Sequence, residues 1–151
     1  MQTNGTEVAL TLGFSKGART MRFIPTSIHG VLDYFLGALL IWAPWLLGFA
    51  DGAAAQWTSV ALGTMILVES ICTRYELGLI PLLEMPMHLA MDVMLGIGLA
   101  ISPWLFGFAP YEWIPHLVFG LLAVGTGLLT EPYPRSLVAP ISWSVRTSAG
   151  A

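Results

Sequence analysis

The chain has 151 residues, of which 10% are charged and 56% hydrophobic, with a formal net charge of −3 and a mean hydropathy of +0.74. A soluble domain carries about 25% charged residues, so an ordinary water-soluble fold is excluded. A nucleic-acid partner would want a basic face and is excluded by the acidic balance. The lone Cys72 cannot form an internal disulfide and reads as packing.

Residues 1–27 are expected to form a mobile cytoplasmic tail. The apolar "VALTLGF" is short, and Lys16, Arg19 and Arg22 follow it, whereas a cleaved signal puts its positive charge first. Four apolar runs come next, Ile28 to Trp45, Trp57 to Thr73, Met87 to Trp104 and Trp113 to Thr130. Each is about 26 Å long as a helix, slightly short of the roughly 30 Å hydrocarbon core, which leaves little room for tilt. A first hairpin is thus predicted over 28–73, a cytoplasmic loop over 74–86, a second hairpin over 87–130 and a cytoplasmic tail over 131–151.

The cations sort these segments. Lys16, Arg19, Arg22, Arg74, Arg135 and Arg146 lie in the two tails and the central loop, and "LLGFADGAAAQ" and "LFGFAPYE" hold none. Both termini are therefore expected in the cytoplasm and the protein in the inner membrane, with Asp51 and Glu112 outside. Trp45, Trp57, Trp104, Tyr111 and Trp113 would form an interfacial belt at the outer side.

The chain also repeats itself. The 59 positions separating His29 from His88 also separate Asp33 from Asp92, Gly37 from Gly96, and Pro44-Trp45 from Pro103-Trp104. Past the turn the second copy is two residues shorter, so Gly63 matches Gly120 and Thr73 matches Thr130. Each unit holds two spans, so both copies insert the same way round. The expected fold is all-α, a four-span transmembrane helical bundle of two tandem helical-hairpin repeats in parallel orientation, related by an axis along the membrane normal. Pro44-Trp45 and Pro103-Trp104 read as helix stop and membrane anchor, since proline disfavours helix in the residue before it and tryptophan settles among headgroups.

"HGVLDYFLGALLIWAPWLLGFA" and "HLAMDVMLGIGLAISPWLFGFA", joined by "TRYELGLIPLLEMPMH", resemble the SPW-repeat family of small bacterial membrane proteins over about residues 25 to 134. The resemblance implies a four-span inner-membrane protein and brings no catalytic residues with it. The first copy carries Ala43 where the family motif has serine, so no essential role is expected of Ser102.

Candidate chemistry is confined to a few polar groups within the spans, His29, Asp33, Glu69, His88 and Asp92. On a helix, His29, Asp33 and Gly37 form one stripe, as do His88, Asp92 and Gly96. Such stripes face protein, because ionisable groups avoid lipid and glycine lets helices close in. Structural pairing of each aspartate with His29, His88 or Arg22, helped by the helix dipole, is the first reading. A proton or ion relay and a metal site are the alternatives, the latter with Met85, Met87, Met91 and Met94 as soft donors suited to Cu(I). Glu69 faces Thr126 in the repeat alignment, so any site would be asymmetric. His116 reads as an interfacial hydrogen-bonding residue.

No phosphate loop, nucleophile elbow or His-Glu-x-x-His is present, and neither enzymatic activity nor a cofactor is expected. The function expected is a non-enzymatic scaffold or accessory subunit in which Gly120, Ala123 and Gly127 make a helix-packing face. The alternative is a small proton, ion or metal transporter acting as a homodimer. The expected partners are the lipid bilayer and a second copy or another membrane protein.

Overall fold

The computed structural model describes residues 21–133. Most of the two tails, with Lys16, Arg19, Arg135 and Arg146, lies outside the described residues. Among the described residues there are four helices and no strands, α1 Thr26–Leu47, α2 Ala54–Ile71, α3 Met85–Leu105 and α4 Ile114–Leu129. The all-α expectation holds, and each helix overlies one apolar run. Two of them, α1 and α3, are long and apolar enough to cross a membrane.

The main packing is within each hairpin, α1 along α2 and α3 along α4. The hairpins then join through α2 with α3 and α1 with α4, so α1 and α3 stand diagonally across the bundle. Glycine makes the hairpins tight. A Cβ on Gly63 would lie 2.8 Å from the Gly37 carbonyl oxygen, and one on Gly120 would lie 2.5 Å from that of Gly96. Gly37, Gly63, Gly96 and Gly120 are thus four points where backbone meets backbone. The packing face expected of α4 is observed, its buried residues being His116, Gly120, Ala123 and Gly127.

The bundle interior changes character along its length. Leu40, Ile66 and Leu99 fill the middle, flanked by Leu62, Leu95 and Phe119. At the end where α1 and α3 finish, Phe49 and Phe108 close over His116, with ring centroids 5.6 and 4.8 Å away. At the end where they begin lie the histidines and aspartates.

The Pro-Trp pairs correct one expectation: neither proline stops its helix. Pro44 and Pro103 lie inside α1 and α3, which run on to Leu47 and Leu105. Gly48 (φ 82°) and Gly107 (φ 76°) turn the chain instead, in the left-handed region that glycine enters without strain. A proline removes the hydrogen bond to the carbonyl four residues earlier, here Leu40 and Leu99. Both orphaned carbonyls are satisfied, Leu40 by the Ser59 hydroxyl and Leu99 by the Ser102 hydroxyl, each at 2.7 Å. The helix therefore continues through each proline.

Two short seams tie the hairpins end to end. The Leu82 and Leu83 amides donate to the Cys72 carbonyl at 3.0 and 2.9 Å, and the Arg74 amide donates to Leu83 at 2.8 Å. In the same fashion the Phe23 and Ile24 amides donate to Leu129 at 2.9 and 3.1 Å, and the Glu131 amide donates to Ile24 at 2.9 Å. These are the same seam in repeat-equivalent positions.

Candidate functional site

The sequence spacing puts His29 one turn before Asp33 on α1, and His88 one turn before Asp92 on α3. Because α1 and α3 are diagonal, both pairs point at the bundle axis and meet there. All four residues are buried, the histidines at 0% exposure and the aspartates at 3% or less.

Expected pairing within each helix is present but is not the shortest contact. His29 Nε2 lies 3.1 Å from its own Asp33 Oδ2 and 2.9 Å from Asp92 Oδ2 of the other repeat. His88 Nε2 lies 3.4 Å from its own Asp92 Oδ2 and 3.0 Å from Asp33 Oδ2. The two Nε2 atoms are 3.2 Å apart. Four ligand-type atoms from four residues thus converge, all within 4.8 Å of one another.

Each imidazole is held from behind by a threonine that the sequence reading took only as a repeat match. Thr73 Oγ1 donates to the Glu69 carbonyl at 2.6 Å and lies 3.0 Å from His88 Nδ1. Thr130 Oγ1 donates to the Thr126 carbonyl at 2.6 Å and lies 2.9 Å from His29 Nδ1. A hydroxyl has one proton, and here a carbonyl takes it, so each Nδ1–H must donate to its threonine. A neutral imidazole then turns its Nε2 lone pair toward the axis. Fixing the tautomer through the outer nitrogen is how metal-ligating histidines are oriented.

Other expectations fare differently. Arg22 does not reach Asp33; its guanidinium donates to the Thr130 carbonyl at 3.1 Å. The aspartates sit two turns into their helices, beyond the first turn over which the dipole acts. Met87 and Met94 are 57% and 72% exposed, and Met85 is buried, so the methionines do not gather into a soft-donor set. Glu69 is buried beside the quartet, its carboxyl next to that of Asp92. His116 is 1% exposed and donates from Nε2 to the Ala55 carbonyl at 3.0 Å, tying α4 to α2.

One flank of the quartet has more polar support. Ser70 Oγ donates to Asp33 Oδ2 at 3.0 Å, and Tyr75 Oη donates to Ser70 Oγ at 3.3 Å. The Tyr75 ring also stacks on His88 and fills the space where Gly30 lacks a side chain. Burial pushes the Tyr75 phenol above its ordinary range, which keeps it a donor at neutral pH.

With both ends of the bundle described, the doubled motif can be compared with known families. The SPW repeat domain matches residues 27–130. The chain belongs to the SPW-repeat family. No curated protein and no solved structure matches it. In this chain the serine of the SPW motif bonds the carbonyl that its own proline frees, and where the first copy reads Ala-Pro-Trp, Ser59 of the neighbouring helix does so instead. The Pro-Trp motifs and the quartet lie at opposite ends of α1 and α3.

Proposed function

We propose that this is a multi-pass inner-membrane protein of four spans, two parallel hairpins with both termini cytoplasmic, whose hairpins are clamped near the cytoplasmic face by one divalent ion of zinc type. Membrane insertion is supported by the outer surface, where Phe35, Trp42, Met65, Val68, Ile97, Trp104, Val118 and Leu121 are all exposed. That much apolar surface on every helix suits lipid rather than water. Arg22 and Arg74 mark the quartet's end as the cytoplasmic one.

The metal reading is carried by one observation, the convergence of two Nε2 lone pairs and two carboxylates with both Nδ1–H groups committed to threonines. A tetrahedral zinc ion with ligands at about 2.0–2.1 Å needs ligand separations of about 3.3–3.4 Å. Five of the six separations among the four atoms run from 2.9 to 3.4 Å, and all lie within 4.8 Å. Two neutral imidazoles, two carboxylates and a divalent cation sum to zero charge, which suits a site at membrane depth. Nitrogen and oxygen donors favour zinc, cobalt or manganese over Cu(I). Four buried protein ligands leave no position for a substrate, which supports a structural role over catalysis. The apolar plug of Leu40, Ile66 and Leu99 speaks against conduction along the axis.

A second reading follows from the 2.9 and 3.0 Å contacts between repeats: two imidazolium groups, each donating to the other repeat's aspartate, lock the hairpins without metal. Metal content separates the two. The protein purified in lipid nanodiscs should carry about one zinc per chain, and cobalt loading should give the visible spectrum of a four-coordinate ion. Protein that holds neither zinc nor cobalt above a His29→Ala/His88→Ala control leaves the double ion pair as the answer.

A further inference from the structure

A groove of about 590 Å³ runs between α3 and α4, beside the first turns of α3. Pro86, Ala90, Val93 and Met94 wall it on one side and Leu128 on the other, Met94 and Leu128 being 72% and 53% exposed. Arg22 is the only charged residue in the lining. Its guanidinium is held at the groove's end by the bond to the Thr130 carbonyl, which uses one of five donors.

The first hairpin builds over the corresponding place. Tyr34 stands where the second repeat has Val93, and Tyr75 where it has Pro132. Tyr34 Oη donates to the Leu77 carbonyl of the central loop at 3.1 Å, and the Tyr75 ring lies over Gly30. The shared backbone therefore does not dictate the groove; smaller side chains open it in the second repeat alone, and there a cation stands at its end.

Resting on the membrane orientation proposed above, we infer that this groove seats one anionic phospholipid of the cytoplasmic leaflet, its phosphate on Arg22 and one acyl chain along Ala90, Val93 and Met94. Among lipid tails an apolar groove selects nothing by hydrophobicity, since every lipid offers the same chains. Selection falls to the headgroup, where a guanidinium meets phosphate oxygens with paired charge-assisted hydrogen bonds. A lipid held so covers both helices of the second hairpin, the place that tyrosines fill in the first.

The test uses the full chain in non-ionic detergent, titrated with phosphatidylglycerol or phosphatidylcholine of the same chains, with bound lipid counted by native mass spectrometry. The first phosphatidylglycerol should bind about fivefold more tightly than phosphatidylcholine. Arg22→Gln should erase that preference, whereas Arg22→Lys and Arg74→Gln should keep it. Ala90→Trp, which fills the groove without touching Arg22, should weaken phosphatidylglycerol at least as far as Arg22→Gln does. Equal binding of the two lipids by the wild type would overturn the proposal, as would a preference that survives Arg22→Gln. A preference appearing only once residues 134–151 are removed would give the groove to the chain's own tail, and a dimer split by Ala90→Trp would give it to a second copy; either overturns the lipid. Wild-type protein that stays in solution without detergent would instead remove the membrane reading itself, before any lipid is compared.

Discussion

The two repeats solve one problem in two ways at their Pro-Trp ends and differ more freely at their His-Asp ends. Both must satisfy the carbonyl that a proline strips of its amide; the second repeat uses Ser102 of the same helix and the first uses Ser59 of the next. At the His-Asp end, Glu69, Ser70 and Tyr75 of the first repeat face Thr126, Gly127 and Pro132 in the alignment of the second. What stays fixed is His, Asp, Gly, Pro and the terminal Thr. The comparison shows a hydroxyl on each freed carbonyl, wherever it comes from, and an axial site that draws its quartet and its threonines from both halves equally.

The strongest way to break that equality is at the aspartates. Asp33→Asn/Asp92→Asn should still accumulate in the membrane with a modest loss of thermal stability, but bound zinc measured by mass spectrometry should fall about 100-fold or more. Each single variant should show a large share of the loss, and one that retains wild-type zinc would end the claim of equal contribution. Gly63→Leu and Gly120→Leu come next. Each forces a side chain against backbone that cannot move aside, and each should destabilise by about 3 kcal/mol in denaturant titrations. A large difference between them would show that one hairpin carries the fold.

Thr73→Val and Thr130→Val keep shape and remove the acceptor for an Nδ1–H. Competition with a chelator should give about tenfold weaker zinc binding in each. If neither changes affinity, the threonines do not set the tautomers. The smallest effect is expected at the Pro-Trp end, where Ser59→Ala leaves the Leu40 carbonyl bare at a cost of about 1 kcal/mol. Adding Ala43→Ser, which rewrites the first motif as Ser-Pro-Trp, should restore most of the lost stability. Absence of rescue would mean that the two serines are not doing the same task.

Much of this was legible in the sequence because it depends on spacing. The repeat, the four helices and the polar stripes follow from periodicity and self-alignment, and the packing face on α4 from its small residues. The exchange of partners at the axis was not, since a four-residue spacing shows that His29 can reach Asp33 but not that Asp92 comes closer. That depends on α1 and α3 being diagonal, a property of the whole bundle. The threonines left a signal: Thr73 and Thr130 are the only polar residues identical in both copies of the second apolar run. The helix ends were misjudged at Pro44 and Pro103 because spacing does not show that a hydroxyl takes each freed carbonyl, Ser59 from a different helix at Leu40 and Ser102 from the same helix at Leu99.

The two seams have a consequence for how the chain is cut. At one, Cys72 to Leu83, the two sides are joined by the covalent loop as well as by amides; at the other, Ile24 to Glu131, the same hydrogen bonds hold with no chain running through. A bundle built this way is a closed circle that the gene opens at one of two matching places. A circular permutant opened at the loop and joined across the other seam would present the same axis, and a single hairpin meeting a copy of itself would bring two histidines and two aspartates to that axis as well.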